Sequence, residues 1–365
     1  MRLFLLLSLS ATCALAQVSK TTVTLAFPNC SGSTPASYDV DVYRPSGAGP
    51  FGLVGIGHGF QNSKDNHEVF ARALAAKGVV VVVPQFPLLL ALQCGYSDHS
   101  RNADILWAAM EQERGVSTID PARVGLAGHS AGGLSAFLAA SRHAVDALLL
   151  FDAVDNNGLG AAATSNVTPP TLFLAAESSP CNSSNNSLPW FDDLTGLKGK
   201  LKVVGATHCE PQDPLSSTCT AACGGSTQQA RQALFRTYGL AFFDRFLNGV
   251  TMPCLEATAQ TDAAAGVVAD VDLQFGGCGA MPDAGSVEDA GSAFDGGAGA
   301  EDAGSASDAG AVSDAGAEDA GSASDAGAGF DGGPGADDAG AQPDTDAGAT
   351  QFDSGSLADG GTDPC

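Results

Sequence analysis

Ser130 lies at the centre of Gly128-His129-Ser130-Ala131-Gly132, where small residues flank a hydroxyl. The preceding run, Arg123 to Ala127, predicts a buried strand, and Ala131 to Ser141 predicts a helix. A chain that passes from strand to helix within so few residues holds its central serine in a strained conformation, and the glycines remove side chains that would collide there. The spacing therefore predicts a nucleophile elbow, with a serine hydroxyl presented at a strand end for attack on a carbonyl carbon.

A serine hydroxyl is a poor nucleophile until a base, usually histidine, accepts its proton. In the strand-turn-helix arrangement of this type, an acid and then the histidine follow the serine along the chain. Of the six histidines, His208 stands in that place, because it follows the predicted strand Leu201 to Val204 through a short Gly-Ala-Thr turn. We predict His208 as the base; the alternative is a surface histidine beside a disulfide.

The acid that orients this histidine has three candidates at two strand ends. Asp152 directly follows the predicted strand Ala147 to Phe151, and Asp155 comes three residues later. Glu177 follows the later predicted strand, Thr171 to Ala175. A carboxylate at the earlier strand end can reach the same imidazole, so we favour Asp152 and keep Glu177 and Asp155 as alternatives.

The negative oxygen that develops during attack on a carbonyl needs preorganised donors, usually two backbone N–H groups. One comes from the residue after the nucleophile, here Ala131, and one from an early strand-to-helix loop. His58-Gly59-Phe60-Gln61 follows the predicted strand Phe51 to Ile56, and its glycine allows close approach, so Phe60 is predicted to supply the second N–H. His58 itself is expected to be a buried histidine bonded to the backbone.

The elements that must position these residues alternate between apolar strands and helices, which predicts a mostly parallel central sheet covered by helices on both faces. The predicted strands are Thr21–Phe27, Tyr38–Tyr43, Phe51–Ile56, Val79–Val83, Val124–Ala127, Ala147–Phe151, Thr171–Ala175 and Leu201–Val204. The predicted helices are Asp65–Lys77, Asp104–Glu113, Ala131–Ser141 and Gln228–Phe246. Few residues separate the strands that end at position 151 and begin at position 171, so no large cap domain is expected.

The beginning of the chain has the pattern of an exported protein. Residues 1–16 combine Arg2, the apolar run Leu3 to Leu9 and the small-residue sequence Ala14-Leu15-Ala16, which together predict a secretory signal peptide. The apolar run is too short to span a bilayer, and no later segment indicates a transmembrane helix. We expect a secreted or cell-surface protein whose catalytic domain occupies residues 17–280.

The cysteines agree with export, because an even number in an exported chain suggests disulfides. Eight remain after Cys13 and Cys365 are set aside: Cys30, Cys94, Cys181, Cys209, Cys219, Cys223, Cys254 and Cys278. Cys254 with Cys278 is the preferred pair, and the other pairings cannot be read from the sequence. A zinc site formed by the cysteines near His208 is the alternative, but their spacing fits no common zinc pattern, so no metal or cofactor is predicted.

Residues 281–365 differ in composition from the rest of the chain. They contain nineteen Asp and Glu and no Lys or Arg, and so supply most of the net charge of −25. Repeated Asp-Ala-Gly with Ser and Gly cannot bury a core, which predicts a disordered acidic tail that could associate with a cell surface. A calcium-binding solenoid is the alternative, but the repeat lacks a regular period. An acidic chain without a basic patch also argues against nucleic-acid binding.

The segment from Tyr38 to Gly249 resembles the chlorophyllase-like and secreted polyester-hydrolase, or cutinase-like, branches of the α/β-hydrolase superfamily. The motifs behind this resemblance are Gly57-His58-Gly59-Phe60, Val82-Val83-Pro84-Gln85, Gly128-His129-Ser130-Ala131-Gly132-Gly133 and Phe151-Asp152-Ala153-Val154-Asp155. The resemblance implies an α/β-hydrolase fold and ester hydrolysis, and its chlorophyllase branch favours Asp152 as the acid. The chain departs from chlorophyllases at Ala153, where they have proline.

The sequence therefore predicts a secreted serine esterase acting on small-molecule or polymeric esters through Ser130, His208 and Asp152, with an oxyanion hole at Phe60 and Ala131. One alternative is an inactive hydrolase scaffold that serves as a surface-associated binding protein. Another is a peptidase or acyltransferase that uses the same three side chains.

Overall fold

The computed structural model describes residues 17–32, 34–250 and 254–277. Its strands are β1 (Val18–Pro28), β2 (Pro35–Pro45), β3 (Phe51–Gly57), β4 (Val79–Pro84), β5 (Ile119–His129), β6 (Ala147–Phe151), β7 (Thr171–Ala175), β8 (Lys198–Val203) and β9 (Val268–Gln274). In this part of the chain they form one nine-stranded sheet in the order β1-β2-β4-β3-β5-β6-β7-β8-β9.

The centre of the sheet is parallel and its edges are antiparallel. Strands β4, β3, β5, β6, β7 and β8 pair in parallel, whereas β1, β2 and β9 join in antiparallel pairings. Parallel strands are buried on both faces, and this explains the five consecutive valines of β4. Val80 and Val82 pack into the core on one face, and Val79, Val81 and Val83 into the core on the other.

Helices cover both faces. They are α1 (Glu68–Ala75), α2 (His99–Arg114), α3 (Ala131–Ala140), α4 (Leu159–Ala163), α5 (Pro189–Asp193), α6 (Ser217–Cys223), α7 (Gln229–Asn248) and α8 (Leu255–Ala264). Helices α2 and α3 pack into one apolar core through residues such as Leu106 and Phe137. Helices α1 and α7 pack into the other core through residues such as Phe70 and Phe243.

The predicted fold class is confirmed for the described residues. The sheet is mostly parallel, helices lie on both faces, and only α4 and one 3₁₀ turn stand between β6 and β7, so no large cap covers the sheet. Strands β6 and β7 have the bounds that their apolar runs predict. A continuous apolar run ends where burial on both faces ends, so such strands are well delimited by sequence.

Other elements differ from the prediction. Helix α2 begins at His99 rather than at residue 104, because the Asp98 side chain accepts a hydrogen bond from the Arg101 N–H and caps the helix early. Helix α1 is shorter than predicted, because a 3₁₀ turn over Lys64–His67 precedes it. Helix α8 and edge strand β9 were not predicted; β9 is only partly buried, and it lacks the continuous apolar run of the inner strands.

Within the described residues, three disulfides join Cys30 with Cys94, Cys181 with Cys223, and Cys209 with Cys219, which confirms the prediction that this chain forms disulfides. The cysteines considered as zinc ligands lie close together, but their sulfur atoms are bonded to other sulfur atoms and are not free thiolates. Cys278 lies outside the described residues, so its pairing with Cys254 stays a prediction.

The predicted signal peptide, residues 1–16, and the predicted acidic tail, residues 281–365, also lie outside the described residues. Their assignment and the bounds of the catalytic domain therefore stay predictions. Among the described helices, none has the length and apolarity that a membrane crossing requires.

Candidate active site

The candidate residues follow the carboxyl ends of neighbouring parallel strands, which meet at one edge of the sheet. Strand β3 leads to Phe60, β5 to Ser130, β6 to Asp152, and β8 to His208. Four segments that are far apart in sequence thus deliver their polar groups to the same edge.

Ser130 lies in the predicted strained turn between β5 and α3, with φ 56° and ψ −126°. This backbone region is costly for a residue with a side chain, and it persists only where surrounding contacts enforce it. The glycines enforce it by close packing: a Cβ on Gly128 would lie 2.2 Å from the Gly132 oxygen, and one on Gly132 would lie 2.2 Å from the Gly57 oxygen. Larger residues would therefore push the turn away from β3.

Three of the predicted side chains form one chain of hydrogen bonds. His208 Nδ1 lies 2.6 Å from Asp152 Oδ2, and His208 Nε2 lies 2.9 Å from Ser130 Oγ. A carboxylate only accepts, so Nδ1 carries the proton and donates it, which leaves Nε2 free to accept from the serine hydroxyl. All three residues are buried. The arrangement can withdraw a proton from the hydroxyl and stabilise the imidazolium that results.

Asp152 is held by more than the histidine. Its backbone adopts φ 42°, and its Oδ1 accepts hydrogen bonds from the Ala176 N–H at 2.9 Å and from Asn182 Nδ2 at 3.3 Å. Asn182 Nδ2 also lies 3.1 Å from Asp152 Oδ2. A buried carboxylate is tolerated when such donors satisfy it. Sequence reasoning missed Asn182; its only signal is its place next to Cys181.

The two alternative acids form their hydrogen bonds elsewhere. Glu177 Oε1 accepts from the Gly205 N–H at 2.9 Å, and its Oε2 lies 3.3 Å from Lys202 Nζ. The Asp155 carboxylate accepts from the first N–H groups of α4 and, at 3.1 Å, from Trp190 Nε1. Asp155 thus caps helix α4.

The loop with Phe60 passes directly beside the serine. A Cβ on Gly59 would lie 3.3 Å from Ser130 Cβ, and the Asn62 N–H donates to the Gly59 oxygen to close a turn. His58 braces this loop: its Nε2 accepts from the Phe86 N–H at 2.8 Å, so its Nδ1–H donates to the Gly59 oxygen. Burial lowers the pKa of His58 to about 4, and the ring therefore stays neutral in this role.

His129 connects the elbow to the base. Gln212 Nε2 donates to His129 Nδ1 at 3.4 Å, so His129 Nε2–H donates to the His208 carbonyl oxygen at 2.7 Å. Burial, with neighbouring histidines as a smaller cause, holds the pKa of His129 well below its ordinary value. The residue before the nucleophile therefore fixes the backbone of the predicted base. Sequence reasoning placed His129 in the elbow but did not predict this contact.

Helix α6 ties together the two loops behind the acid and the base. Its Cys219 bonds to Cys209, the residue after His208, and its Cys223 bonds to Cys181, the residue before Asn182. Positions four apart lie on one face of a helix, so a single short helix can reach both loops. The disulfides thus constrain the base and the support of the acid relative to each other.

Comparison with known proteins places this chain in a family. A family model described as PET hydrolase-like matches residues 8–251, which is well over half of the chain. The chain belongs to the PET hydrolase-like family. As a member of that family it is an ester hydrolase of the α/β-hydrolase type, and the predicted resemblance to the polyester-hydrolase branch is confirmed. A search of curated protein sequences found no match to this chain.

Among solved structures, this PET hydrolase-like protein is similar to a ferulic acid esterase from Streptomyces cinnamoneus. The superposition has a TM-score of 0.56 with 20% sequence identity, and it covers 71% of this chain and 98% of that chain. Identity this low bears on the fold alone. It supports the α/β-hydrolase fold that the sheet order and the helix placement establish.

Proposed function

We propose that this protein is an exported serine hydrolase that cleaves carboxylic esters through an acyl-enzyme. Ser130 is the nucleophile, His208 is the general base and then the general acid, and Asp152 orients His208. The observation that supports this assignment is the continuous hydrogen-bond chain from Ser130 Oγ through both nitrogens of His208 to Asp152.

In the first half-reaction, Ser130 Oγ attacks the ester carbonyl carbon while His208 Nε2 takes the hydroxyl proton. The carbonyl oxygen becomes an oxyanion, which the backbone N–H groups of Phe60 and Ala131 stabilise. The C–O bond to the alcohol then breaks, and His208 Nε2–H protonates the departing oxygen. The products of this half are a free alcohol and a serine ester.

In the second half-reaction, water attacks the serine ester and gives its proton to His208 Nε2. The same N–H groups hold the second oxyanion, and its collapse releases a carboxylic acid while Ser130 Oγ recovers its proton from His208. Asp152 accepts the hydrogen bond from Nδ1–H in both halves and stabilises the imidazolium.

Export is supported by the signal-like residues 1–16 together with three disulfides, because disulfides persist in oxidising compartments. Esters are favoured over amides as substrates by membership of the PET hydrolase-like family. Turnover of matched ester and amide substrates distinguishes the esterase from a peptidase, and added alcohol or amine acceptors would reveal an acyltransferase.

The nucleophile is tested by Ser130→Ala, with Ser178→Ala as the matched control, because Ser178 is an exposed serine on a nearby loop. We expect Ser130→Ala to lower kcat for a short nitrophenyl ester by on the order of 10⁶-fold. A fluorophosphonate probe should label the wild-type protein and Ser178→Ala but not Ser130→Ala. Labelling of folded Ser130→Ala would refute Ser130 as the nucleophile. No labelling of the wild type would refute the serine hydrolase and favour an inactive binding scaffold.

The acid is tested by Asp152→Asn, with Glu177→Gln as the matched control. Asp152→Asn preserves the shape but favours the wrong histidine tautomer, so kcat should fall by about 10⁴-fold. Glu177 bonds to Gly205 and Lys202, so Glu177→Gln should change kcat by less than about threefold. A larger loss from Glu177→Gln than from Asp152→Asn would reverse the assignment of the acid.

A further inference from the structure

The segment between β4 and α2 is unusual in an acidic chain because it contains no charged residue from position 78 to position 97. Within it, the run Leu88-Leu89-Leu90-Ala91-Leu92, here called the leucine loop, lies at the surface. Leu90 is 82% exposed and Leu92 is 91% exposed. Solvent contact of this extent is unfavourable for leucine. Single exposed apolar residues are common on protein surfaces, but a contiguous run of them usually marks an interaction site.

The leucine loop is held in place by bonds to its backbone. Gln61 Oε1 accepts hydrogen bonds from the N–H groups of Leu89, at 2.9 Å, and Leu90, at 3.4 Å. The Leu88 N–H donates to Gln93 Oε1, and the Cys94 that follows is bonded to Cys30. These contacts fix the backbone while they leave the leucine side chains outside the core.

Leu92 also has an unfavourable backbone conformation, with φ 52°. Glycine or asparagine adopts this left-handed region at lower cost than leucine does. Strain of this kind together with full exposure is not explained by the stability of the fold, and such residues cluster at functional sites. The combination points to a role for the side chain outside the protein.

The loop is continuous with the candidate active site. Gln61, which binds the loop, is the residue after Phe60. Phe60 is 47% exposed, and its ring centroid lies 6.2 Å from that of Tyr96. Phe60, Pro87, Tyr96 and Ala131 line one pocket. Pro87, which directly precedes the leucine loop, thus lines the same pocket as Phe60 and as Ala131, the residue after Ser130.

We propose that the leucine loop is a docking surface that seats the enzyme on an uncharged, water-insoluble ester, so that ester bonds at the surface of that phase reach Ser130. The proposal rests on the proposed function. The absence of charge over residues 78–97 fits a neutral partner, and the continuity with Phe60 fits a partner that is also the substrate. Leucine side chains gain free energy when such a surface covers them.

Docking is tested by adsorption of the full chain to suspended polycaprolactone particles, in a Ser130→Ala background so that the particles are not consumed. The test variant is Leu90→Ser with Leu92→Asn, since asparagine suits the left-handed backbone at position 92. The matched control is Val116→Ser. Val116 is 72% exposed and lies between α2 and the start of β5, whereas the candidate site follows the carboxyl ends of the strands. We expect adsorption at least about tenfold weaker for the double variant and unchanged for Val116→Ser.

Three outcomes would overturn the proposal: unchanged adsorption of the double variant, an equal loss in Val116→Ser, or equally strong binding of the parent protein to phosphatidylcholine vesicles of the same surface area. If the double variant does not melt cooperatively, the adsorption of the single variant Leu90→Ser decides the test, because Leu90 is largely in solvent and its replacement should not disturb the fold.

Turnover separates this proposal from the proposed function. With Ser130 restored, the double variant should hydrolyse a soluble nitrophenyl butyrate within about twofold of the wild type and release acid from the particles at least about tenfold more slowly. An enzyme that hydrolyses neither substrate in its wild-type form would refute the esterase while leaving the adsorption result to stand. Equal losses on both substrates would refute docking.

Discussion

The two halves of the candidate site are held in place by different kinds of contact. In the serine half, the first turn of α3 presses backbone against backbone on the ends of β3 and β5, and glycines at positions 57, 128 and 132 make that approach possible. In the acid–base half, the ends of β6 and β8 are joined by side chains and sulfur bridges, namely Asn182 on Asp152 and two disulfides on α6. One half is rigid through close packing, and the other through cross-links.

This difference determines how each half responds to substitution. A close backbone contact has no space for adjustment, so a single methyl group forces the helix turn away from the strand. A cross-linked half can lose one link and keep the rest, since the Asp152 carboxylate still has the Ala176 N–H and His208 as partners. Substitutions in the serine half should therefore affect folding, and those in the acid–base half should affect stability by smaller steps.

The largest loss of folding stability is expected for Gly132→Ala. Its Cβ would lie 2.2 Å from the Gly57 oxygen and 2.4 Å from the His58 oxygen, and backbone atoms cannot move aside as a flexible side chain can. The free energy of unfolding, measured in urea, should fall by about 5 kcal/mol or more, at the severe end of single substitutions. Insoluble expression would agree with this expectation.

Gly115→Ala is the matched control, because Gly115 ends α2 with an ordinary φ of −71° and a Cβ there would lie 3.3 Å from its nearest neighbour. It should change the free energy of unfolding by less than about 1 kcal/mol. A Gly132→Ala protein as stable as Gly115→Ala would mean that the serine half does not depend on close packing.

The same contrast explains how much the sequence predicts. The elbow is encoded by five adjacent residues, and the inner strands by continuous apolar runs, so both are predictable from local patterns. Asn182 lies thirty positions from Asp152, and the disulfide partners are joined through space, so no spacing rule reveals them. The favoured acid, Asp152, lies against His208 in the structure, but the choice over Glu177 needed the family resemblance as well as the residues.

A smaller effect is expected when the link from Cys181 to Cys223 is removed by paired Cys→Ser substitutions. The bridge closes a loop of 42 positions, so loss of the constraint on the unfolded chain should cost about 4 kcal/mol of unfolding free energy. Urea unfolding measures this cost. The kcat for a soluble ester should also fall, because Asn182 beside the bridge supports Asp152.

The Cys209–Cys219 pair is the comparison for this prediction. It spans only 10 positions, and its removal should cost about 3 kcal/mol by the same entropy argument. The two losses should be graded by loop length. Equal stability of the Cys181/Cys223 variant and the wild type would contradict the view that sulfur bridges hold the acid–base half.

The smallest effect concerns how the stability depends on pH through His67, whose ring centroid lies 6.2 Å from that of His129, the residue before Ser130. Burial lowers the pKa of His67 to about 3, and neither of its ring nitrogens has a partner among the described residues. In the unfolded chain a histidine binds a proton below a pH of about 6.5, so between that pH and about 3 the unfolded state holds one more proton at this position. The free energy of unfolding must therefore fall as the pH falls, by roughly 1.4 kcal/mol per pH unit for this histidine.

His67→Phe removes the group and should make the plot of unfolding free energy against pH shallower by that amount between pH 4.5 and 6. The difference in unfolding free energy between the two proteins should stay constant above about pH 7.5. Parallel profiles down to pH 4.5 would show that His67 binds its proton as readily in the folded protein as in the unfolded chain, which would contradict the effect of burial on its pKa.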